Sequence, residues 1–328
     1  MSSLMGILLV DKPRRPTSHD VVQVVRRLTG LKRVGHTGTL DPFATGLLPL
    51  CLGRATRLAR FISGTVKTYR AVVRFGVATD TYDVTGRPLG PPVRANVGLE
   101  ELGAALDSFL GEQQQVPPPF AAKRVGGRRT YDLARAGIPV EPRPVTVTVR
   151  RICLLAAEAD RATLEVEVES GTYIRSLAHD LGMRLGCGAH LEQLRRTGVG
   201  RFRVERALTI EKVRELAQEN RLRDVVVGPR EALADFPQLR LDVKAADRLC
   251  HGRSVSRDDL LGDVPELRAG ELCCFLGPDG EFLAVGVAEE GLARFRPQVV
   301  LAAPAQGYSQ QSQQSQQSTA LQHNTGVL

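Results

Sequence analysis

Residues 35 to 46 read Gly35-His36-Thr37-Gly38-Thr39-Leu40-Asp41-Pro42-Phe43-Ala44-Thr45-Gly46, where one carboxylate, Asp41, stands between backbone hinges and follows a histidine. Gly35 and Gly38 permit positive backbone dihedrals and close approach of a second molecule. Pro42 fixes its own φ and pushes Asp41 out of the helical region. The stretch therefore reads as a reactive-site loop rather than a strand or a helix. Its spacing alone also fits a plainer account, in which Asp41 caps a turn and His36 is an ordinary loop histidine. Segments far away along the chain separate the two.

Upstream, Gly6-Ile-Leu-Leu-Val10 reads as a buried strand, and Val21, Val24, Val25 and Leu28 trace one face of a helix that Gly30 closes. Downstream come an apolar run from Leu47 to Leu52, a short helix over about 56 to 62, and an alternating strand through Tyr69, Val73 and Phe75. Helix, loop and strand alternate, so the class is mixed α/β. Strands over 145–156 and 162–169 lead to Ser170-Gly171-Thr172-Tyr173-Ile174-Arg175. Ile174, Leu177, Ala178, Leu181 and Leu185 then form the apolar stripe of a helix, capped by Ser170 or Thr172 and stopped at Gly186. Arg175 lies off that stripe in the first turn, where a cation opposes the helix dipole. Either it is a surface arginine, or the position serves something other than helix stability.

Between about 113 and 144 runs a proline-rich, basic excursion containing Pro117-Pro118-Pro119, Lys123, Arg124, Gly126-Gly127, Arg128 and Arg129. It cannot form one continuous core element and is expected to project from the body. Two readings stand for it, a cationic flap that orders on a phosphate backbone and a solvated connector. A break at Gly228-Pro229 suggests a boundary near residue 230, followed by a small β-rich domain over 231–304. The stretch over 305–328 repeats Ser-Gln-Gln, has no Lys, Arg, Asp or Glu, and is expected to be disordered.

With 328 residues, 42% apolar and 24% charged, the chain has room for two domains and a large core. Its 44 Lys+Arg against 36 Asp+Glu give a net +8, mostly from arginine. Such a surface favours polyanions, and arginine both forks onto phosphates and stacks on bases, although biased genome composition gives the same count. Six cysteines form no CxxC pair and no zinc pattern, so no metal is expected and a reduced, cytoplasmic setting follows. No stretch approaches the ~18 apolar residues of a membrane span, and the apolar start is too short for a signal peptide. GxxxxGK[ST] and GxGxxG are absent, which argues against nucleotide hydrolysis and dinucleotide redox chemistry.

Leu9-Val10-Asp11-Lys12-Pro13, residues 35–53, Lys67-Thr68-Tyr69-Arg70, Thr79-Asp80-Thr81, Gly171-Thr172-Tyr173-Ile174-Arg175-Ser176-Leu177 and Gly188-Ala189-His190 occur in one order. In these six motifs, over about 5–210, the chain resembles the bacterial tRNA pseudouridine-55 synthases. The guide-RNA-dependent archaeal and eukaryotic synthases are similar in the same core motifs. The resemblance implies a mixed, largely antiparallel sheet flanked by helices, with a small PUA-type RNA-binding domain appended. It implies isomerisation of uridine to pseudouridine in the T loop of tRNA, without a cofactor; separately, the chain is expected to act as a monomer. Asp41 matches the family's catalytic aspartate, Arg175 the arginine that pairs with it, and Tyr69 the tyrosine packed against the target uracil. Such an arginine, at ~4–6 Å, is expected to lower the Asp41 pKa by ~1–3 units. His36 matches a histidine that intrudes into the RNA loop, and Tyr173 is placed as a pocket wall. Lys12, in the matching Lys-Pro turn, is grouped with the RNA-contacting residues as support of the site, together with Lys123, Arg128 and Arg129 of the flap. The chain departs from the family's usual pattern at Phe43, at Arg54 and at Phe120-Ala121-Ala122. Two rivals are a guide-dependent synthase needing partner proteins and a tRNA-folding chaperone in which catalysis is secondary.

Overall fold

The computed structural model describes residues 4–119, 124–125, 128–129 and 143–302. The chain divides into two units, the first ending at Val226 and the second beginning at Val227. The first unit opens with β1 (Gly6–Lys12), α1 (Ser18–Thr29), β2 (Val34–His36), β3 (Thr45–Leu52), α2 (Ala59–Ser63), β4 (Lys67–Phe75), α3 (Leu99–Asp107) and β5 (Gly111–Gln115). It continues with β6 (Arg124–Val125), β7 (Arg128–Arg129), β8 (Val145–Glu158), β9 (Arg161–Val168), α4 (Ile174–Arg184), β10 (Ala189–Val199), β11 (Phe202–Arg203) and α5 (Ile210–Gln218).

The sheet of this unit runs β1-β3-β10-β4-β9-β8-β5, with β2 also on β3 and β11 on β10. Among the described residues of this sheet only β3 and β10 pair in parallel, so it is the mixed, largely antiparallel sheet expected. That parallel contact is close. A Cβ at Gly46, whose φ is 102°, would lie 2.3 Å from the Arg196 carbonyl, so only glycine lets β10 run against β3 here. Gly46 thus belongs to a strand, as do Gly35 and His36, and the irregular part of the motif is confined to residues 37–44.

β4 alternates buried and open positions: Tyr69, Ala71, Val73 and Phe75 face the core while Arg70 points the other way. On the core side, Val21, Val22 and Val25 of α1 and Leu177, Ala178 and Leu181 of α4 pack with Leu48, Leu50, Ala71, Val73 and Leu164. Burying each such aliphatic side chain contributes ~1.5–3 kcal/mol. α1 starts in a capping box, with Thr17 Oγ1 accepting from Asp20 N at 3.1 Å and Asp20 Oδ2 accepting from Thr17 N at 2.8 Å. Gly30, with φ at 67°, ends it.

α4 starts differently from expectation. Its N-cap is Tyr173, with no side-chain cap of its own. Ser170 and Thr172 are engaged elsewhere, their hydroxyls donating to the carbonyls of Ser63 and Glu169. Gln115 at the end of β5 takes the capping role across the chain: its Oε1 accepts from Tyr173 N at 2.8 Å and its Nε2 donates to Tyr173 O at 3.0 Å. Ser176 Oγ also donates to Val116 O at 2.7 Å, so the segment leading out of β5 holds the first turn of α4.

The second unit contains α6 (Pro229–Ala232), β12 (Gln238–Leu241), α7 (Val243–Cys250), β13 (Val255–Ser256), β14 (Leu260–Leu261), β15 (Leu272–Leu276), β16 (Phe282–Ala288) and β17 (Arg294–Val300). Its six strands order as β13-β17-β16-β15-β12-β14. It is β-rich, with Leu239, Leu249, Phe275, Leu283 and Phe295 in its core. No cysteine of the chain is paired. Among the described residues, no helix is long and apolar enough to cross a membrane. The Ser-Gln-Gln stretch over 305–328, Lys123 and most of the excursion lie outside the described residues.

Candidate active site

The loop over 37–44 is held by two buried cations. Lys12, at the end of β1, is fully buried, and its Nζ donates to the carbonyls of Pro13 at 2.9 Å, Pro16 at 2.8 Å and Pro42 at 3.4 Å. Arg196 of β10, 1% exposed, donates from Nε to Leu47 O at 2.8 Å, from Nη2 to Gly38 O at 3.1 Å and from Nη1 to Thr39 O at 3.5 Å. Ser18, in the first turn of α1, brackets the residue before Asp41: its Oγ donates to Leu40 O at 3.0 Å and accepts from Leu40 N at 2.8 Å. Arg15 N adds a bond to Pro42 O at 2.8 Å.

Lys12 therefore cannot reach RNA, and its grouping with the RNA contacts is corrected: its bonds go inward, to the carbonyls of Pro13 and Pro16 and of Pro42 beside Asp41. Burial lowers its pKa to about 8, opposed by the charge of Asp41 and assisted by that of Arg196.

Asp41 meets Arg175 at the mouth of this loop. Arg175 Nε lies 3.0 Å from Asp41 Oδ2 and its Nη2 3.4 Å from Oδ1, a two-pronged fork. The helical position that looked open in the sequence is buried. Its third nitrogen, Nη1, donates to Thr81 O at 3.1 Å and to Asp83 Oδ2 at 3.3 Å. Asp83 is buried and tied in place, its Oδ1 accepting from Thr81 Oγ1 at 2.9 Å and from the Thr85 amide at 2.9 Å. One guanidinium thus spans two carboxylates.

The electrostatics differ from the sequence expectation. Burial pushes the Asp41 carboxyl above the ordinary carboxylate range; Arg175 and Lys12 pull it down, and Asp83 adds to the rise. The net direction is up, not down, because burial removes water from Asp41 and Asp83 adds a like charge beside it.

A pocket of about 260 Å³ opens over this pair, and Asp41, Tyr69, Tyr173, Arg175, Leu194 and Lys67 line it. Tyr69 reaches it from β4, opposite Arg196 in the register of β10. Tyr173 stands at the start of α4, its hydroxyl pKa raised by burial and by Asp41 and lowered by Arg175. Lys67 is buried with its Nζ on the carbonyls of Ser63 at 2.8 Å and Thr65 at 3.0 Å, and burial beside Arg196 lowers its pKa to about 8. His36 does not line the pocket. It sits half-buried at the end of β2, its Nδ1 accepting from Gly38 N at 3.3 Å, and burial followed by the Arg196 charge lowers its pKa, favouring the neutral ring. Arg128 and Arg129 form the strand β7 against β6.

A larger cavity of about 430 Å³ is lined by Arg14, Phe43, Arg70, Glu192 and Arg195. Arg70 and Arg195 are register partners on the sheet face opposite Tyr69, and Arg195 is itself forked onto Asp11 at 3.0 and 2.7 Å. The carboxylate in the lining of this cavity, Glu192, accepts from Arg161 Nε at 2.8 Å. The Asp41–Arg175 pair faces the smaller pocket.

Sequence reading pointed to Asp41, Tyr69, Tyr173 and Arg175, and the fold brings these four together. It missed Asp83, Arg196 and Lys67. Asp83 follows the quoted Thr79-Asp80-Thr81 by two residues and carried a signal, a carboxylate in a threonine-rich turn.

Residues 26–174 match the TruB family pseudouridylate synthase N-terminal domain, and residues 175–234 match the tRNA pseudouridylate synthase B C-terminal domain. The tRNA pseudouridine synthase B of Solibacter usitatus is 47% identical over 248 residues, covering 76% of this chain and 85% of that protein. The chain belongs to the TruB family of pseudouridine synthases. The protein of the same name from Vibrio vulnificus is 40% identical over 293 residues, or 86% of this chain and 90% of its own. Among solved structures, a chain of an H/ACA ribonucleoprotein bound to a substrate RNA containing 2′-deoxyuridine matches with a TM-score of 0.73 at 25% identity, covering 91% of this chain and 86% of that one. A chain of a Cbf5–Nop10–Gar1 complex matches with a TM-score of 0.73 at 26% identity, covering 91% and 85%. The TruB membership agrees with the resemblance carried by the six motifs, and the ribonucleoprotein neighbours share the sheet-and-helix fold that positions the pocket.

Proposed function

We propose that this TruB-family enzyme isomerises uridine to pseudouridine at position 55, in the T loop of tRNA, with Asp41 as the catalytic carboxylate. The observation that carries the reading is the Arg175 fork on Asp41 at 3.0 and 3.4 Å, beside Tyr69 in one pocket. The reaction breaks the bond between uracil N1 and the sugar C1′ and forms one from C5 to C1′. C5 loses its proton and N1 gains one, so the atoms balance without a cofactor.

Asp41 acts at the anomeric centre as the ionised carboxylate, and Arg175 opposes the upward pull of burial on its pKa. The pocket takes an extruded base, since a uridine in a folded loop must leave its stack to be reached. Tyr69 and Tyr173 supply aromatic surface there, and stacking of this kind is worth ~1–3 kcal/mol per base. His36, just outside the pocket at the start of the same loop, supports the RNA around the extruded nucleotide. Lys123, Arg128 and Arg129 of the excursion, together with the C-terminal unit as a PUA-like domain, hold the phosphate backbone of the T stem-loop, and the net charge of +8 suits that partner. The enzyme works as a cytoplasmic monomer. Relatives at 40–47% identity named tRNA pseudouridine synthase B support turnover by the single chain over the guide-dependent alternative, whose ribonucleoprotein counterparts stand at 25–26%.

Asp41→Asn tests the proposal on unmodified tRNA: pseudouridine at position 55 should vanish while RNA affinity stays within about twofold, because the loop contacts of Lys12, Ser18 and Arg196 do not depend on the carboxylate charge. Pseudouridine formed at the wild-type rate by that variant would refute the assignment.

A further inference from the structure

α4 carries His179 one helical turn beyond Arg175. Its imidazole lies flat on the ring of Tyr82, with centroids 3.8 Å apart and planes 9° from parallel. Tyr82 stands between Thr81, whose carbonyl accepts from Arg175, and Asp83, whose carboxylate does the same. Its backbone is left-handed, with φ at 63°, a conformation that side chains other than glycine adopt at a cost.

We propose that the His179–Tyr82 stack is a positioning device, which holds the Thr81–Asp83 turn onto Arg175 and through it sets the fork that Arg175 presents to Asp41. The inference rests on the catalytic reading of Asp41 and Arg175 and adds two residues that touch neither substrate nor Asp41.

Thr81 O and Asp83 Oδ2 converge on the same nitrogen from either side of Tyr82, the residue with positive φ. The ends of the turn are pinned to β10, with Leu191 N donating to Tyr82 O at 3.0 Å and Val84 N donating to Leu191 O at 3.0 Å. Those bonds fix the turn to the sheet but not to α4. The stack supplies a second link to α4 beside the Arg175 bonds themselves, and since His179 and Arg175 lie one turn apart on the helix, it ties the turn that grips Arg175 to the helix that carries Arg175. The face of the ring does the holding: His179 Nδ1 is buried without a hydrogen-bond partner among the described residues. The third nitrogen of Arg175 is thereby held back from Asp41, leaving Nε and Nη2 for the fork.

The test is a double-mutant cycle on the full-length enzyme. The single-turnover release of the uracil C5 hydrogen from unmodified tRNA is measured beside tRNA affinity and melting temperature. His179→Ala should slow the chemical step about tenfold, the scale of a small misplacement of catalytic groups, with affinity within about twofold. His179→Phe, which keeps the stack and drops both ring nitrogens, should restore most of the rate. In an Asp83→Ala background, where the clamp is already gone, His179→Ala should cost nothing further. Tyr82→Gly covers the case in which His179→Ala fails to fold, since glycine adopts the backbone conformation freely, and it should show the same loss of rate. A wild-type rate in Tyr82→Gly, no rescue by phenylalanine, or a full multiplicative loss in the Asp83→Ala background would each overturn the proposal. Each would do so while Asp41→Asn remained inactive, so the catalytic reading would survive.

Discussion

Among the described residues, the first unit buries Lys12, Lys67, Asp83, Arg175, His190 and Arg196, whereas the second buries apolar side chains and the cysteines Cys250, Cys273 and Cys274. Taking an ion out of water is unfavourable by several kcal/mol unless partners answer it. The second unit follows the cheaper rule, with Phe275 and Phe295 edge to face at 6.1 Å in its core. In the first unit, Lys12 and Arg196 grip the loop of Asp41 and Asp83 grips the arginine that faces it. The contrast teaches where rigidity was needed. Charges on backbone carbonyls fix a loop that has no ladder of its own, while a pure packing core only has to exclude water.

The contrast breaks most readily at Arg175. Arg175→Gln removes both prongs of the fork and should lower the single-turnover rate roughly 10³-fold, by analogy with deleting one preorganised donor at a reacting charge. The sign of the pH effect follows from the geometry. Arg175 lowers a carboxyl pKa that burial has raised, so without it Asp41 ionises only at higher pH and the acidic limb of the rate profile shifts upward. An unmoved limb would show that Arg175 does not control Asp41.

Arg196→Met keeps bulk but strips three carbonyls of their donors. It should cost ~3 kcal/mol of stability in thermal or urea unfolding, since each orphaned buried group costs ~1–3 kcal/mol, and slow catalysis as the loop loosens. Undiminished stability would mean that the buried cation is incidental to the loop.

The same size of effect in the second unit should come without catalytic cost. Phe275→Ala should lose ~3–5 kcal/mol in the unfolding of that unit alone. Cys273 and Cys274 report it, because burial pushes both thiols up to about 12 and keeps them unreactive at neutral pH while the unit is folded. The variant should label faster with a thiol reagent at an unchanged rate of the chemical step on bound RNA. Slowed chemistry would erase the distinction between the two interiors.

The smallest effect is expected at Asp180, whose carboxyl burial pushes up to about 6. The folded state holds that proton more tightly than the unfolded chain, with its ordinary pKa of ~3.9. Its contribution is full below the unfolded value and is lost as pH rises through about 6. Asp180→Asn should therefore raise the melting temperature by a few degrees above that pH and leave it unchanged in acid. A rise confined to acid would reverse the sign of the burial effect.

Much of this site was legible in local chemistry. A carboxylate followed by proline between glycines marks an irregular segment, and Asp41 was found that way, while Tyr69 and Arg175 came from the motifs shared with the family and Tyr173 from its place just before Arg175. The helix bearing Arg175 was legible from the spacing of Ile174, Leu177, Ala178 and Leu181. Its cap was not, because Gln115 reaches it from β5, 58 residues away. Asp83 lay close to a recognised motif yet was overlooked, since a carboxylate in a turn normally faces water. Lys12 was visible, but its direction was not: whether a lysine turns in or out depends on which carbonyls the folded chain places around it.

The amino-acid sequence by itself determined the alternation of strands and helices, the family, and the reactive loop, because these rest on periodicity, backbone restriction and short motifs that act over a few residues. Tertiary structure alone decided which charges are buried and what they hold. Arg196 meets Gly38 across 158 residues and Arg175 meets Asp83 across 92, and the protonation balance of Asp41 follows from the water that these long-range contacts exclude.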